Sequence, residues 1–406
     1  MTKGYRVLKS TITLFRRRKK PWSIQIISNV LAYLLISLCF HTLAFGEIRI
    51  GVNASLTGPF ALFGKSMIDG YQFWADDVNS RGGLAGRKIH LIIMDDQSKP
   101  ERAVASLLRL VQAEKVHILF GSNLSAVVMS NRDIAEKYRV PMIAASPFSE
   151  LYKGFDYLFQ GAIADDIQID TLIEFWGGLG LPLRDIAVLA NRDPYHTDLS
   201  QRLSEQAKKF NMRVFHLEKV DFGSRDLGPP LLRIKRLAPD IIFVALNSVQ
   251  ASIAAKKLSE LRLKAKITVF SSDLSDFSEV SGTGLPSQTV AVSSWEPTLD
   301  TPENKEFVER FKKRYSRIPV YLNAQAWSNG KVLEEVIKKT GSVDRELIRN
   351  GLSKCEVQSV LNGLYKIDEQ RRQIGFKPLI VQWMEGKKEI VYPVKVSTKK
   401  LKLPRN

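Results

Sequence analysis

The sequence predicts an α/β fold of two lobes, each built on a parallel sheet covered by helices. Three observations carry that expectation. From Ile48 onward, short apolar runs alternate with segments of helical period. Strand–helix alternation is how parallel strands joined by crossover helices read in a sequence. Eight such runs exceed one compact sheet, and 406 residues leave room for two domains of ordinary size.

The runs are 48–52, 89–94, 116–120, 141–145, 186–190, 213–217, 241–245 and 267–270. Between the first two, Met67, Tyr71, Trp74 and Val78 recur at steps of four, three and four, which makes one helix face apolar. "NSRGGLAGRK" then stops that helix with glycines. After Pro100, Val104, Leu107, Leu108 and Val111 repeat the arrangement. Beyond 290–293 the rhythm changes. Residues 302–315 and 321–340 read as consecutive helices, and 344–352 as a short third. "LYKID", "PLIVQW" and "IVYPV" read as strands joined by turns. The tail from Ser397 is expected to be frayed.

Charge is unevenly placed. The net charge is +18, but residues 1–46 hold Lys3, Arg6, Lys9, Arg16, Arg17, Arg18, Lys19 and Lys20 and no acid. Five more basic groups follow Val394, so the body is only mildly basic. It contains no concentrated basic run of the kind nucleic-acid binding needs. "FRRRKKP" followed by the apolar "VLAYLLISLCF" has the layout of a secretory signal, with "AFG" at 44–46 as the expected cleavage site and 42–44 as a second. The alternative is an uncleaved anchor over residues 24–44, nearly long enough to span a bilayer. Cys39 leaves with the signal, so Cys355 stands alone and no internal disulfide is expected. With no histidine beside it in "LSKCEVQSV", Cys355 reads as a buried structural thiol.

"ASLTGPFALFGKSMIDG" comes close to a phosphate-binding loop, between an apolar run and a helical pattern. Five residues separate Gly58 from Gly64–Lys65, where such a loop has four. Pro59 stands where a glycine is needed and has no N–H to donate. "HLIIMDD" mimics the magnesium-holding partner, yet Phe60, Leu62 and Phe63 would obstruct a cradle for phosphate. The stretch fits a sharp strand-to-helix turn whose phenylalanines border a cleft.

Ligands in open α/β sheets bind beyond the carboxyl ends of the strands. That rule selects 53–63, 121–125, 145–149, 191–195, 246–249 and 271–273, segments rich in Ser, Asn, Asp and aromatic residues. Helix N-termini follow directly behind them, and these bind anions such as carboxylates.

On its motifs the chain resembles the type I periplasmic binding proteins, closest to the leucine/isoleucine/valine-binding receptors of ABC transporters. The motifs are the block from "IRIGVNASLTGPF" to "DDQSKPERA", then "GSNLSA", "VPMIAAS", "DDIQ", "YLNAQAWSNGKVL" and "NGLYKIDEQ". The resemblance implies two Rossmann-like lobes joined by three crossover hinges, closing on a ligand between them. It places lobe 1 at 47–166 with a return segment 296–365, and lobe 2 at 167–295 with 366–396, leaving 397–406 as a basic tail. It implies Ser125 as a carboxylate ligand at a helix start, and a backbone contact from Ser146. Phe148 stands where a threonine is usual. Tyr195 matches a cleft tyrosine, with His196 in place of the usual glycine after it. Asn247 replaces an aromatic, Asp273 matches an acid for a ligand ammonium, and Phe63 matches a cleft wall.

Beyond the export segment, His90, His117, His196 and His216 show no metal-ligand spacing, and no nucleophile–base pair stands out. The reading is therefore neither an enzyme nor a metalloprotein, and implies no cofactor. It is an exported monomer that closes on a small amino acid, amide or related carboxylate and delivers it to an inner-membrane permease. The alternative is a receptor module of the same fold, anchored and coupled to a membrane sensor. An exported hydrolase or NTPase is the third class.

Overall fold

The computed structural model describes residues 46–271, 285 and 287–403. The expected export segment, apart from Gly46, lies outside the described residues, as does Asp273. Glu47 begins one compact unit.

The first sheet takes β1 (Ile48–Ala54), β2 (Ile89–Asp95), β3 (Ile118–Gly121), β4 (Met142–Ala144) and β5 (Leu158–Gln160). Their order is β2-β1-β3-β4-β5 and every pairing is parallel. Between them run α1 (Ala61–Ser80), α2 (Pro100–Gln112) and α3 (Ser125–Lys137). The chain then crosses through α4 (Asp165–Gly177) to a second sheet. That sheet begins with β6 (Asp185–Asn191), α5 (Pro194–Ala207), β7 (Arg213–Val220) and α6 (Gly228–Leu237). It continues with β8 (Ile241–Ala245), α7 (Ser248–Glu260), β9 (Ile267–Phe270) and β10 (Thr289–Ser293).

It returns as α8 (Pro302–Tyr315), α9 (Tyr321–Thr340), α10 (Arg345–Leu352) and a hairpin of β11 (Glu356–Gln358) and β12 (Leu364–Lys366). A third crossing leads to β13 (Leu379–Met384) and β14 (Lys387–Tyr392), which close the second sheet in the order β14-β13-β10-β9-β8-β6-β7. β13 and β14 run antiparallel to their neighbours, and the rest is parallel. The two-lobed α/β architecture is thus the observed one.

All eight apolar runs fall on strands; the inner ones are buried on both faces as parallel strands are, while β2 and β7, at the sheet edges, are only partly covered. β5 and β11, three residues each, are too short to carry a readable period. In α1 the expected face Met67, Tyr71, Trp74 and Val78 is fully buried. In α2 the buried face is Ala103, Leu107, Leu110 and Val111, so Val104 and Leu108 are only half-buried at its edge.

The first-lobe core takes in Ile367 and Phe376, beyond the expected boundary at 365. The tail is not frayed over its described part, contrary to expectation. Leu401 and Leu403 pack against the second-lobe core, and Gln382 holds Lys402 by its backbone N–H and C=O at 2.9 and 2.6 Å. Two leucines alternating with lysines make a strand-like edge that a count of charges hides. Cys355 is buried, and desolvation pushes its thiol up to about 12, which fits a structural role.

α9 lies along α1 across the first core. Glycine permits the approach: a Cβ on Gly330 would sit 2.3 Å from the Trp74 ring. In the same seam the fully buried Glu334 accepts from Trp74 Nε1 at 3.3 Å and pairs with Arg81, Lys331 and Lys338 at 3.1, 2.9 and 2.8 Å.

Candidate functional site

The turn after β1 is braced from below by the two aspartates that end β2. Asp95 accepts from the Leu56 amide at 2.8 Å and the Thr57 hydroxyl at 2.7 Å, and Asp96 accepts from the Ser55 hydroxyl at 2.6 Å. Gly58 takes φ +84°, and a Cβ there would meet the Gln97 carbonyl at 2.5 Å, so only glycine fits. Lys65 is exposed on α1. The aspartates thus serve the turn, and Phe60 and Phe63, both buried, form a wall.

α3 begins at Ser125 with no side-chain cap on its first turn. The first amides of any helix lack intrahelical acceptors and carry the positive end of its dipole. Ser125 Oγ lies 2.9 Å from Ser146 Oγ, and Ser146 Oγ accepts from the Phe148 amide at 3.3 Å. A hydroxyl has one proton to give. When Ser146 gives its proton to Ser125, the Ser125 proton is free for a ligand. Ser146 itself is fully buried behind Ser125 rather than on the cavity wall, so its part is to orient Ser125. Its carbonyl is already taken by Tyr152 Oη at 2.8 Å.

From the second lobe, Asp193 caps α5. One carboxylate oxygen accepts from the His196 amide at 3.2 Å and the other meets His196 Nδ1 at 2.6 Å. Burial works against its charge, but these bonds outweigh it and hold the carboxyl below its usual range. Tyr195 lies between Phe148, 5.7 Å away by ring centroids, and the His196 ring at 4.7 Å. Desolvation, reinforced by nearby Asp165, keeps its phenol protonated. Asn247 caps α7 and is spent on structure. Its Oδ1 accepts from the Gln250 amide at 3.1 Å, and its Nδ2 donates to Asn191 Oδ1 at 3.2 Å and to Gln250 Oε1.

These segments enclose one cavity of about 360 Å³, within the usual range for small-molecule sites. Phe63, Ser125, Phe148, Tyr195 and Asn247 line it, and Ser146 supports it from behind. Asp273 lies outside the described residues. Sequence reasoning did not single out Gln168, Phe222, Tyr321 or Gln325, which also line it. Gln325 and Tyr321 come from α9, two lobe-crossings away in sequence. Gln325 is one of several buried polar residues on α9, with Asn323, Ser328, Asn329 and Glu334, so the sequence did not mark it out. The lobes meet around the cavity. Phe60 approaches Phe222 at 5.7 Å between centroids, and Glu150 pairs with Arg202 at 2.6 Å.

The described histidines outside the cavity are tied to neighbours: His90 to Glu47, His117 to the Arg49 amide, and His216 to Glu218. Among the described residues no cluster of three or more His, Cys, Asp or Glu could hold a metal ion.

Two α/β lobes with a cavity at the carboxyl ends of both sheets define a solute-binding protein that encloses its ligand. Comparisons with known proteins agree. The sequence profile of a family described as periplasmic binding protein matches residues 47–388, and the chain belongs to that family. The chain is 22% identical over 396 residues to a Leu/Ile/Val-binding protein homolog of Brucella melitensis, covering 89% of this chain and 95% of the relative. It is similar in fold to the branched-chain amino acid transporter protein LivJ of Streptococcus pneumoniae, solved with isoleucine. There the TM-score is 0.77 at 20% identity, over 88% of this chain and all of that one. It is also similar to a solute-binding protein of R. palustris solved with benzoate, with TM-score 0.76 at 20% identity over 85% and 96% of the two chains. The protein is therefore a periplasmic binding protein, similar in sequence to Leu/Ile/Val-binding proteins. No helix among the described residues is long and apolar enough to cross a membrane.

Proposed function

We propose that the cavity captures a small carboxylate with an apolar, preferably aromatic, body and that the protein hands it unchanged to a membrane permease outside the cytoplasm. The observation that carries this reading is the uncapped first turn of α3, with Ser125 presented by Ser146, in a cavity walled by Phe60, Phe63, Phe148 and Tyr195. The helix end and the hydroxyl suit a carboxylate. The rings suit a flat body, offset or edge-on. Among the described lining residues, Asp193 is the one carboxylate and is occupied by His196. A free α-ammonium would depend on Asp273.

Ser125→Ala is expected to weaken benzoate binding about ten- to a hundredfold, the worth of one hydrogen bond to a charged group, roughly 1.5–3 kcal/mol. Isothermal titration measures it. An unchanged affinity would place the carboxylate elsewhere in the cavity and sink the assignment.

A further inference from the structure

Most of the cavity wall is apolar, yet two glutamines reach it, Gln168 from the first turn of α4 and Gln325 from α9. Both residues are more than nine-tenths buried, at 7% and 4% exposure. Gln168 Nε2 donates to the Ile163 carbonyl at 2.9 Å. A carbonyl only accepts, so this side-chain amide cannot be turned round, and Oε1 is left as an acceptor for the cavity. Among the described residues nothing donates to that Oε1, and the Gln325 side-chain amide makes no hydrogen bond. The two glutamines converge on one stretch, the first crossing at 161–163. Gln168 is tied to Ile163, and α9 runs against Gly161. A Cβ on Gly161 would lie 2.5 Å from Asn329 Nδ2, one helical turn on from Gln325.

Resting on the carboxylate reading above, we propose that Gln168 and Gln325 together select a hydroxyl on the body of the solute. The hydroxyl donates its proton to Gln168 Oε1 and accepts from Gln325 Nε2. A hydroxyl both gives and takes, which suits an acceptor and a donor presented together. The selected group is neutral. Among the described lining residues there is no lysine or arginine to meet a second anion, and the one carboxylate, Asp193, is engaged by His196. The preferred solute is then a hydroxylated aromatic carboxylate. Ser125 holds its carboxylate, the rings hold its body, and the two amides read its substituent.

A solute that fills the cavity displaces water from both amides. One that lacks the hydroxyl leaves an acceptor and a donor desolvated and unpaired, which costs more than a made hydrogen bond gains. Sites built around buried polar groups reject the analogue without the matching group for this reason. The glutamines therefore discriminate between solutes more than they add to affinity. Both sit on firm supports. The Gln168 amide is clamped to the crossing by Ile163, and Gln325 lies on a helix buried along most of its length.

The test is isothermal titration of the purified protein with 3-hydroxybenzoate, 4-hydroxybenzoate and benzoate. The wild type should bind at least one hydroxybenzoate about tenfold or more tightly than benzoate, the size expected when the analogue leaves buried polar groups unpaired. Gln168→Met and Gln325→Met keep the length of the side chain but remove its amide, and each should bring that ratio down toward one. Melting curves verify that the variants fold. Gln325→Met breaks no protein hydrogen bond among the described residues, so it carries the test alone if Gln168→Met does not fold. Ser125→Ala should weaken all three acids together. If the wild type binds benzoate but prefers neither hydroxybenzoate, or if the preference survives in Gln325→Met, the glutamine pair is overturned and the Ser125 reading stands. If the wild type binds none of the three, the carboxylate reading falls and this proposal with it.

Discussion

Alanine at Gly64 is expected to cost the fold about 3 kcal/mol, the upper end of what overpacking a core costs. α1 starts on top of the end of β1, so closely that a Cβ on Gly64 would lie 1.9 Å from the Ser55 carbonyl oxygen. That neighbour is buried backbone held by Asp96 through the Ser55 hydroxyl, so it cannot swing aside as a side chain would. The helix start must move instead, carrying Phe60 and Phe63 with it. Urea unfolding should show a lower midpoint with an unchanged slope, together with weaker ligand binding. A loss below about 1 kcal/mol would mean that the first turn shifts freely and does not fix the aromatic wall.

Glu334→Gln should cost a comparable amount at neutral pH and little in acid. Burial opposes ionisation of Glu334, but Lys338, Lys331 and Arg81 outweigh it and hold its carboxyl at about 2, against an ordinary 4.5. That depression corresponds to about 3 kcal/mol of stability, an upper figure given the partial exposure of the three cations. A depressed folded value contributes fully above the unfolded one and fades as pH falls toward the folded one. The gap in unfolding free energy between wild type and variant should therefore be widest above about pH 5 and shrink toward pH 2. A gap that stays constant across that range would show that Glu334 acts through packing alone.

The scaffold was legible because parallel strands buried on both faces write themselves as apolar runs, and helices such as α1 show a clean 3.6 period. The turn at Gly58 was legible too, through the missing N–H of Pro59 and the surplus residue before Gly64. Cavity-lining residues that follow a strand, such as Ser125, Phe148 and Tyr195, could be placed by the carboxyl-end rule together with the family's pattern. What the sequence hid was set by tertiary approach. Ser146 matches a ligand contact by position, but its side chain is fully buried and turned to the Ser125 hydroxyl. Asn247 ends a strand at the right place, yet its amide is consumed by Asn191 and Gln250. Phe222 reaches the cavity only because the lobes meet, and Gln325 only because α9 returns to lobe 1 from the second sheet. His196 carried the opposite lesson: it was visible as a departure from the family pattern, but its place on the cavity wall and its bond to Asp193 needed coordinates.

The central claim is that the hollow between the lobes selects a carboxylate on an apolar body. Its most direct test is a calorimetric titration of the purified protein with 4-methylbenzoate and with the neutral amide of the same shape, 4-methylbenzamide. The account predicts one saturable site for the acid and binding of the amide weaker by roughly tenfold or more, as expected for loss of a charge-assisted contact. Equal affinity for the two, or heat from neither, would contradict it.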